Sequence, residues 1–124
     1  MQMTLAIAAG GAAGALLRYW MSTGVHLLAG RAFPYGTLAV NVSGSLLMGL
    51  LYVLFIERMD VEPLWRAALL IGLLGAFTTF STFSIETLNL LENGEPVKAV
   101  VNVLASVSVC IVACWLGMVA GRQL

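Results

Sequence analysis

GLLGAFTTFSTFS, residues 72–84, lies inside a long apolar segment yet interleaves Phe77, Phe80 and Phe83 with Thr78, Thr79, Ser81, Thr82 and Ser84. In a helix the three Phe rings drift slowly around one face, and hydroxyls fill the gaps between them. Such a density of β-branched and hydroxyl residues weakens a helix, because their rotamers crowd the preceding turn and their oxygens compete for backbone carbonyls. Inside a membrane, irregular backbone is tolerated only where protein buries it or where it lines a wet cavity. From composition, two readings stand side by side. The stretch is a break that lines a pore or holds an ion, or it is a packed helix whose hydroxyls bond back to their own carbonyls.

The surrounding chain has the composition of an integral membrane protein. It is 60% hydrophobic and only 10% charged over 124 residues, whereas soluble domains carry about 25% charged residues. Apolar segments fall at about 4–28, 35–55, 64–91 and 97–120, each near the roughly 20 residues that a bilayer crossing needs. These predict one all-α domain, 1–124, with four transmembrane helices, the third long enough to be tilted or to carry a break. Formal net charge is zero, so nothing points to nucleic acid. The opening MQMTLAIAAGGAAGALLRYW lacks the basic start of a secretory signal and reads as a span.

Gly10 and Gly14 give the first span a small-residue face, as Gly44, Ser45 and Gly49 do for the second and Gly117 and Gly121 for the fourth. Polar residues within spans are costly and therefore informative. Arg18, followed by Tyr19 and Trp20, reads as an interface anchor or as a vestibule charge that draws anions. Asn41 must bond across helices or to something that passes. Glu86 follows the Thr/Ser run as an interfacial residue or a pore-mouth carboxylate. In the fourth span Ser106 and Ser108 either pack or line a path, and Cys110 and Cys114, one turn apart, read as small buried packing residues, neither a redox pair nor a metal knuckle. His26 carries no assigned role.

Basic residues are divided almost evenly, with Arg58, Arg66 and Arg122 on one side and Arg31, Lys98 and Arg18 on the other. The positive-inside rule then selects no orientation. A chain without that bias inserts both ways up, and four short helices enclose little, so an antiparallel dual-topology homodimer follows. No nucleophile–base pair, metal-ligand cluster or phosphate loop is present, which argues against an enzyme. Neutral donors and electropositive Phe edges suit a small anion that sheds its water, and carbonyls freed by a break suit a cation.

GGAAGALLRYW, GTLAVNVSGSLLMG and GLLGAFTTFSTFSIE together resemble the Fluc (CrcB) family of microbial fluoride ion channels across essentially the whole chain. The resemblance implies passive fluoride export through a multi-pass protein of the inner (plasma) membrane, built as an antiparallel homodimer in lipid. It implies a structural sodium ion held at the dimer centre by the backbone carbonyls of Gly75 and Thr78. It places fluoride-contacting rings at Phe80 and Phe83, a pore amide at Asn41, and a track of hydroxyls at Ser81 and Thr82, with Ser84 and Ser108. Arg18 and Glu86 become vestibule or pathway charges. The alternative is a proton-coupled small multidrug-type exporter, which needs a mid-membrane carboxylate on its first helix; the first span here has no acidic residue.

Overall fold

The computed structural model describes residues 1–124 and is helical throughout, without strands. Its helices are α1 (Gln2–Ala29), α2 (Tyr35–Arg58), α3 (63–77), α4 (Phe80–Glu92) and α5 (Pro96–Gln123). Pro63 and Pro96 open α3 and α5, where the missing N–H costs nothing and the fixed φ favours the first turn. Gly30 ends α1 at φ 83°, a conformation that glycine adopts without strain. The end of α2 (Val53–Arg58) and most of α3 (Ala67–Leu74) wind more widely, as π-helix; the Met59 N–H reaches back five residues to the Leu54 carbonyl at 2.8 Å.

The small-residue faces expected from sequence are the places where backbones touch. A Cβ at Gly10 would strike the Ala68 carbonyl, and one at Gly14 the Leu73 carbonyl, so α1 lies directly on α3. Gly49 faces the Cys114 carbonyl and Gly117 the Leu46 carbonyl, which brings α2 onto α5 in the same manner. Close approach of this kind gathers dispersion contacts where lipid supplies no hydrophobic drive between helices. At one end Arg122 donates to both Glu57 carboxylate oxygens, at 3.1 and 3.2 Å, and its carbonyl accepts from Arg58.

Only 21 of the 124 residues are buried, with Val40, Val53, Leu74 and Phe77 among them. Trp20, Trp65, Trp115, Ile71 and Ile111 all face outward. That is a far larger apolar exterior than a water-soluble monomer tolerates, and it marks a membrane protein. By length and composition three helical runs can cross a bilayer: Tyr35–Arg58, Pro63–Glu92 and Pro96–Gln123. Of the four expected spans, the first qualifies only in length, because its glycines and Arg18 dilute its apolar character.

Candidate functional site

The helical run from Pro63 to Glu92 is interrupted at Thr78 and Thr79. Their backbones are extended, with φ −81° and ψ 155° at Thr78 and φ −150° and ψ 118° at Thr79. An unbroken helix would send the Thr79 N–H to the Gly75 carbonyl. Instead Thr79 donates it to Asn41 Oδ1 at 2.8 Å, and the Thr79 carbonyl accepts from Asn41 Nδ2 at 2.9 Å. One side-chain amide thus satisfies both polar groups of the broken residue, which burial would otherwise leave costly. Gly44 allows α2 to come close enough: a side chain there would meet the Thr78 methyl and the Phe77 ring.

Thr79 also starts the next helix. Its Oγ1 accepts from the Thr82 N–H at 3.2 Å, the bond of a helix N-cap, and donates to Thr82 Oγ1 at 3.1 Å. Ser81 Oγ lies 3.3 Å from the same oxygen. Both readings of the central stretch are therefore partly realised. The backbone breaks, and several hydroxyls bond backward: Thr78 to the Leu74 carbonyl, Ser84 to Phe80 and Thr87 to Phe83.

Two cavities flank the break. The larger, of about 350 Å³, is lined by Asn41, Thr78, Thr79, Phe80, Phe83 and Ser106, together with Ser45, Met48, Cys110 and Cys114. The Phe80 and Phe83 rings are tilted at 51° with centroids 5.2 Å apart. Phe83 is buried, but Phe80 stays 74% exposed on the surface of the chain. A second cavity, of about 250 Å³, holds Arg18, Thr37, Thr79 and Thr82. Thr79 lines both. A third, of about 240 Å³, takes in Glu86 with Arg31, His26 and Asn89. Thr37 donates to Glu86 Oε1 at 2.7 Å and so joins the second cavity to Glu86, whose Oε2 is buried without a partner.

The structure brings together Asn41, Thr78, Phe80 and Phe83 in one cavity, and Arg18 with Thr82 in another. Ser84 and Ser108 line none of these cavities; each is exposed and bonds the carbonyl one turn back in its own helix. Gly75 is exposed and Thr78 half-buried. Cys110 and Cys114 correct the sequence reading: they are half-buried and line the larger cavity, because the face of α5 that carries them turns toward the groove beside α2.

Sequence reasoning passed over Thr37, which lies one turn before Asn41 on α2, and that spacing was its available signal. A further polar group within a span is Asn102, one turn before Ser106 on α5. Asn102 is buried, donates to Thr87 at 2.9 Å and accepts from Ser106 at 3.3 Å, tying α4 to α5 behind Phe83. No set of three His, Cys, Asp or Glu side chains converges to hold a metal. The Gly75 carbonyl, which the Thr79 N–H would reach in an unbroken helix, is left without that donor.

Residues 5–118 match the family model described as CrcB-like protein, Camphor Resistance (CrcB). The chain is 57% identical over 119 residues to a protein of Methylococcus capsulatus named fluoride-specific ion channel FluC, covering 96% of this chain and 52% of that one. It therefore spans about half the length of that relative. Proteins of the same name from Coxiella burnetii and Geobacter sulfurreducens are each 53% identical. The match covers 97% of this chain and 98% of the first, and 100% of both chains for the second.

Proposed function

The chain belongs to the CrcB-like protein family, and from that premise we propose that it is a fluoride-selective channel, conducting passively across the inner membrane as an antiparallel dual-topology homodimer. The name the relatives carry, fluoride-specific ion channel, supports the ion. The observation that carries the reading is the shared cavity at the helix break, where Asn41, Phe80 and Phe83 meet.

The chemistry fits a small, strongly hydrated anion. Its water must be replaced by donors without a full positive charge to trap it. Asn41 keeps one amide hydrogen beyond the one given to Thr79. The ring edges of Phe80 and Phe83 are electropositive and tolerate an anion beside them. Arg18, half-buried beside Thr79 and Thr82, raises the local anion concentration at the entrance without entering the narrow part. Ser81 and Thr82 supply rotatable hydroxyls, already gathered around Thr79 Oγ1, that can turn toward a passing ion.

The homodimer supplies what one chain lacks. Phe80 is largely uncovered, and the larger cavity is an open groove rather than a closed conduit, so a second copy completes the wall. Sodium fits the same arrangement. The Gly75 carbonyl has lost its helical donor because the Thr79 N–H goes to Asn41, and it lies at the surface where a second chain would add its own oxygens. Gly75 and Thr78 would hold the ion by their carbonyls, where its charge joins the two copies at the break.

Efflux from liposomes carrying the purified protein, with fluoride and chloride measured in parallel, tests the function. Voltage-driven fluoride loss without chloride loss is the expected result. Well-incorporated protein that releases neither ion overturns the reading.

A further inference from the structure

We infer that Cys110, Cys114 and Met48 form a binding site for a soft, thiophilic metal cation, such as Hg²⁺ or Ag⁺, inside the cavity that also holds Phe80 and Phe83. Cys110 and Cys114 on α5 and Met48 on α2 line one space of about 350 Å³. Cys110 and Cys114 stand four residues apart on α5, the spacing that places side chains one above the other on a helix face. Both thiols are free and half-buried, so they are reachable from the cavity and are not consumed by a disulfide. Met48 lines the same space from α2, where the adjacent Gly49 lies against the Cys114 carbonyl.

Thiolate and thioether ligands select soft cations over the hard ones that oxygen prefers. Closed-shell Hg²⁺ and Ag⁺ accept two nearly opposed sulfur ligands, so a pair of cysteines suffices and a third His, Cys or carboxylate is not needed. Each thiol releases its proton to water as its sulfur–metal bond forms, and no electron is transferred. The bound cation then occupies the cavity beside the Phe pair. Block of ion flow by that occupancy rests on the proposed channel function; the binding itself does not.

Mercuric nitrate titrated into the purified protein in chloride-free buffer separates the two. Sulfur-to-mercury charge-transfer absorption should grow to saturation at equal amounts of ion and chain. C110S or C114S should each replace the two-thiolate absorption by the weaker one of a lone thiolate–mercury bond, and the double variant should lose the absorption. Independent binding of one ion by each thiol, or an unchanged titration in the double variant, overturns the site. In liposomes, wild-type fluoride efflux should be lost on adding the ion and return with a dithiol chelator. Efflux of the double variant, whatever its starting rate, should ignore the ion. Efflux that persists while absorption shows the site filled overturns the occupancy argument. Absence of efflux before any mercury is added overturns the channel function and leaves the titration to decide the site.

Discussion

The side-chain amide of Asn41 grips the backbone of Thr79 from both sides, accepting at 2.8 Å and donating at 2.9 Å. It stands in for the helical partners that Thr79 forgoes by breaking the run between Pro63 and Glu92. Thr79 is 8% exposed, so removing the amide strands a buried donor and a buried acceptor. Each stranded group costs about 1–3 kcal/mol. Asn41→Ala should therefore destabilise the protein by about 2–6 kcal/mol as well as abolish fluoride efflux. Asn41→Asp keeps the acceptor but turns an oxygen toward the Thr79 carbonyl, and it adds a charge that repels an anion. It should also block. Thermal unfolding in detergent beside liposome efflux decides: a stable, conducting Asn41→Asp variant would remove Asn41 from both roles.

Phe80 and Phe83 are neighbours with different structural duties. Phe83 is 8% exposed and Phe80 74%. Phe80→Ile should leave the fold of the single chain almost unchanged, because surface substitutions shift stability by about 0.5 kcal/mol or less, and its cost should fall on the dimer whose wall it would join. Phe83→Ile should cost about 1–3 kcal/mol through imperfect refilling of its site. Fluoride efflux should fall sharply in both, since each loses an electropositive ring edge. Unimpaired flux in Phe80→Ile would defeat the ring-edge mechanism on the cleaner of the two variants.

Thr37 is 4% exposed and gives its hydroxyl to Glu86, its only hydrogen bond besides those of its backbone. Glu86 Oε2 already lacks a partner. Removing the Thr37 donor leaves the whole carboxyl group without a hydrogen bond, at about 1–3 kcal/mol for a stranded buried acceptor. Thr37→Val should show that loss on unfolding in detergent, and Thr37→Ser should recover most of it. Equal stability of the two variants would mean that the 2.7 Å contact does not hold Glu86.

Ser106 and Ser108 make a paired test on one helix. Ser106 is buried, lines the larger cavity and bonds Asn102, whereas Ser108 is exposed and bonds only the Leu104 carbonyl. Ser106→Ala should slow fluoride efflux, and Ser108→Ala should leave it within about twofold, as expected of a surface change. The reverse ranking of the two variants would place the hydroxyl track on the other face of α5.

The membrane class and the helical segments were legible in the chain because apolar runs and small-residue spacing are local signals. Gly10, Gly14 and Gly117 announced their contacts through spacing alone. The break was legible as a weakness, since Thr and Ser crowd one stretch, but composition alone did not fix its position. It depends on Asn41 of α2 reaching Thr79 through the space left by Gly44, a contact between residues 38 apart in sequence. The pairing of Thr37 with Glu86, 49 residues apart, is hidden for the same reason. Helix rotation was the other unknown: it turns Ser106, Cys110 and Cys114 toward the larger cavity and Ser108 away, and a span with apolar residues all round gives little clue to its inner face.

Sodium is the remaining lever. The Asn41–Thr79 bonds free the Gly75 carbonyl, and Gly75 sits exposed at the break. A cation held there by Gly75 and Thr78 needs more oxygens than one chain offers at that point, because hard cations take about six or more. In the proposed dimer a second chain would supply them, so the ion and the dimer would stabilise each other by mass action. Purification with choline in place of sodium should raise the monomer fraction on size-exclusion chromatography in detergent. Restoring sodium should reverse the shift, with a midpoint that depends on protein concentration. Potassium should restore less, since its larger radius suits a wider cage. Dimers that persist unchanged in choline would show that apolar burial alone joins the copies, and Gly75 and Thr78 would lose their role as ligands.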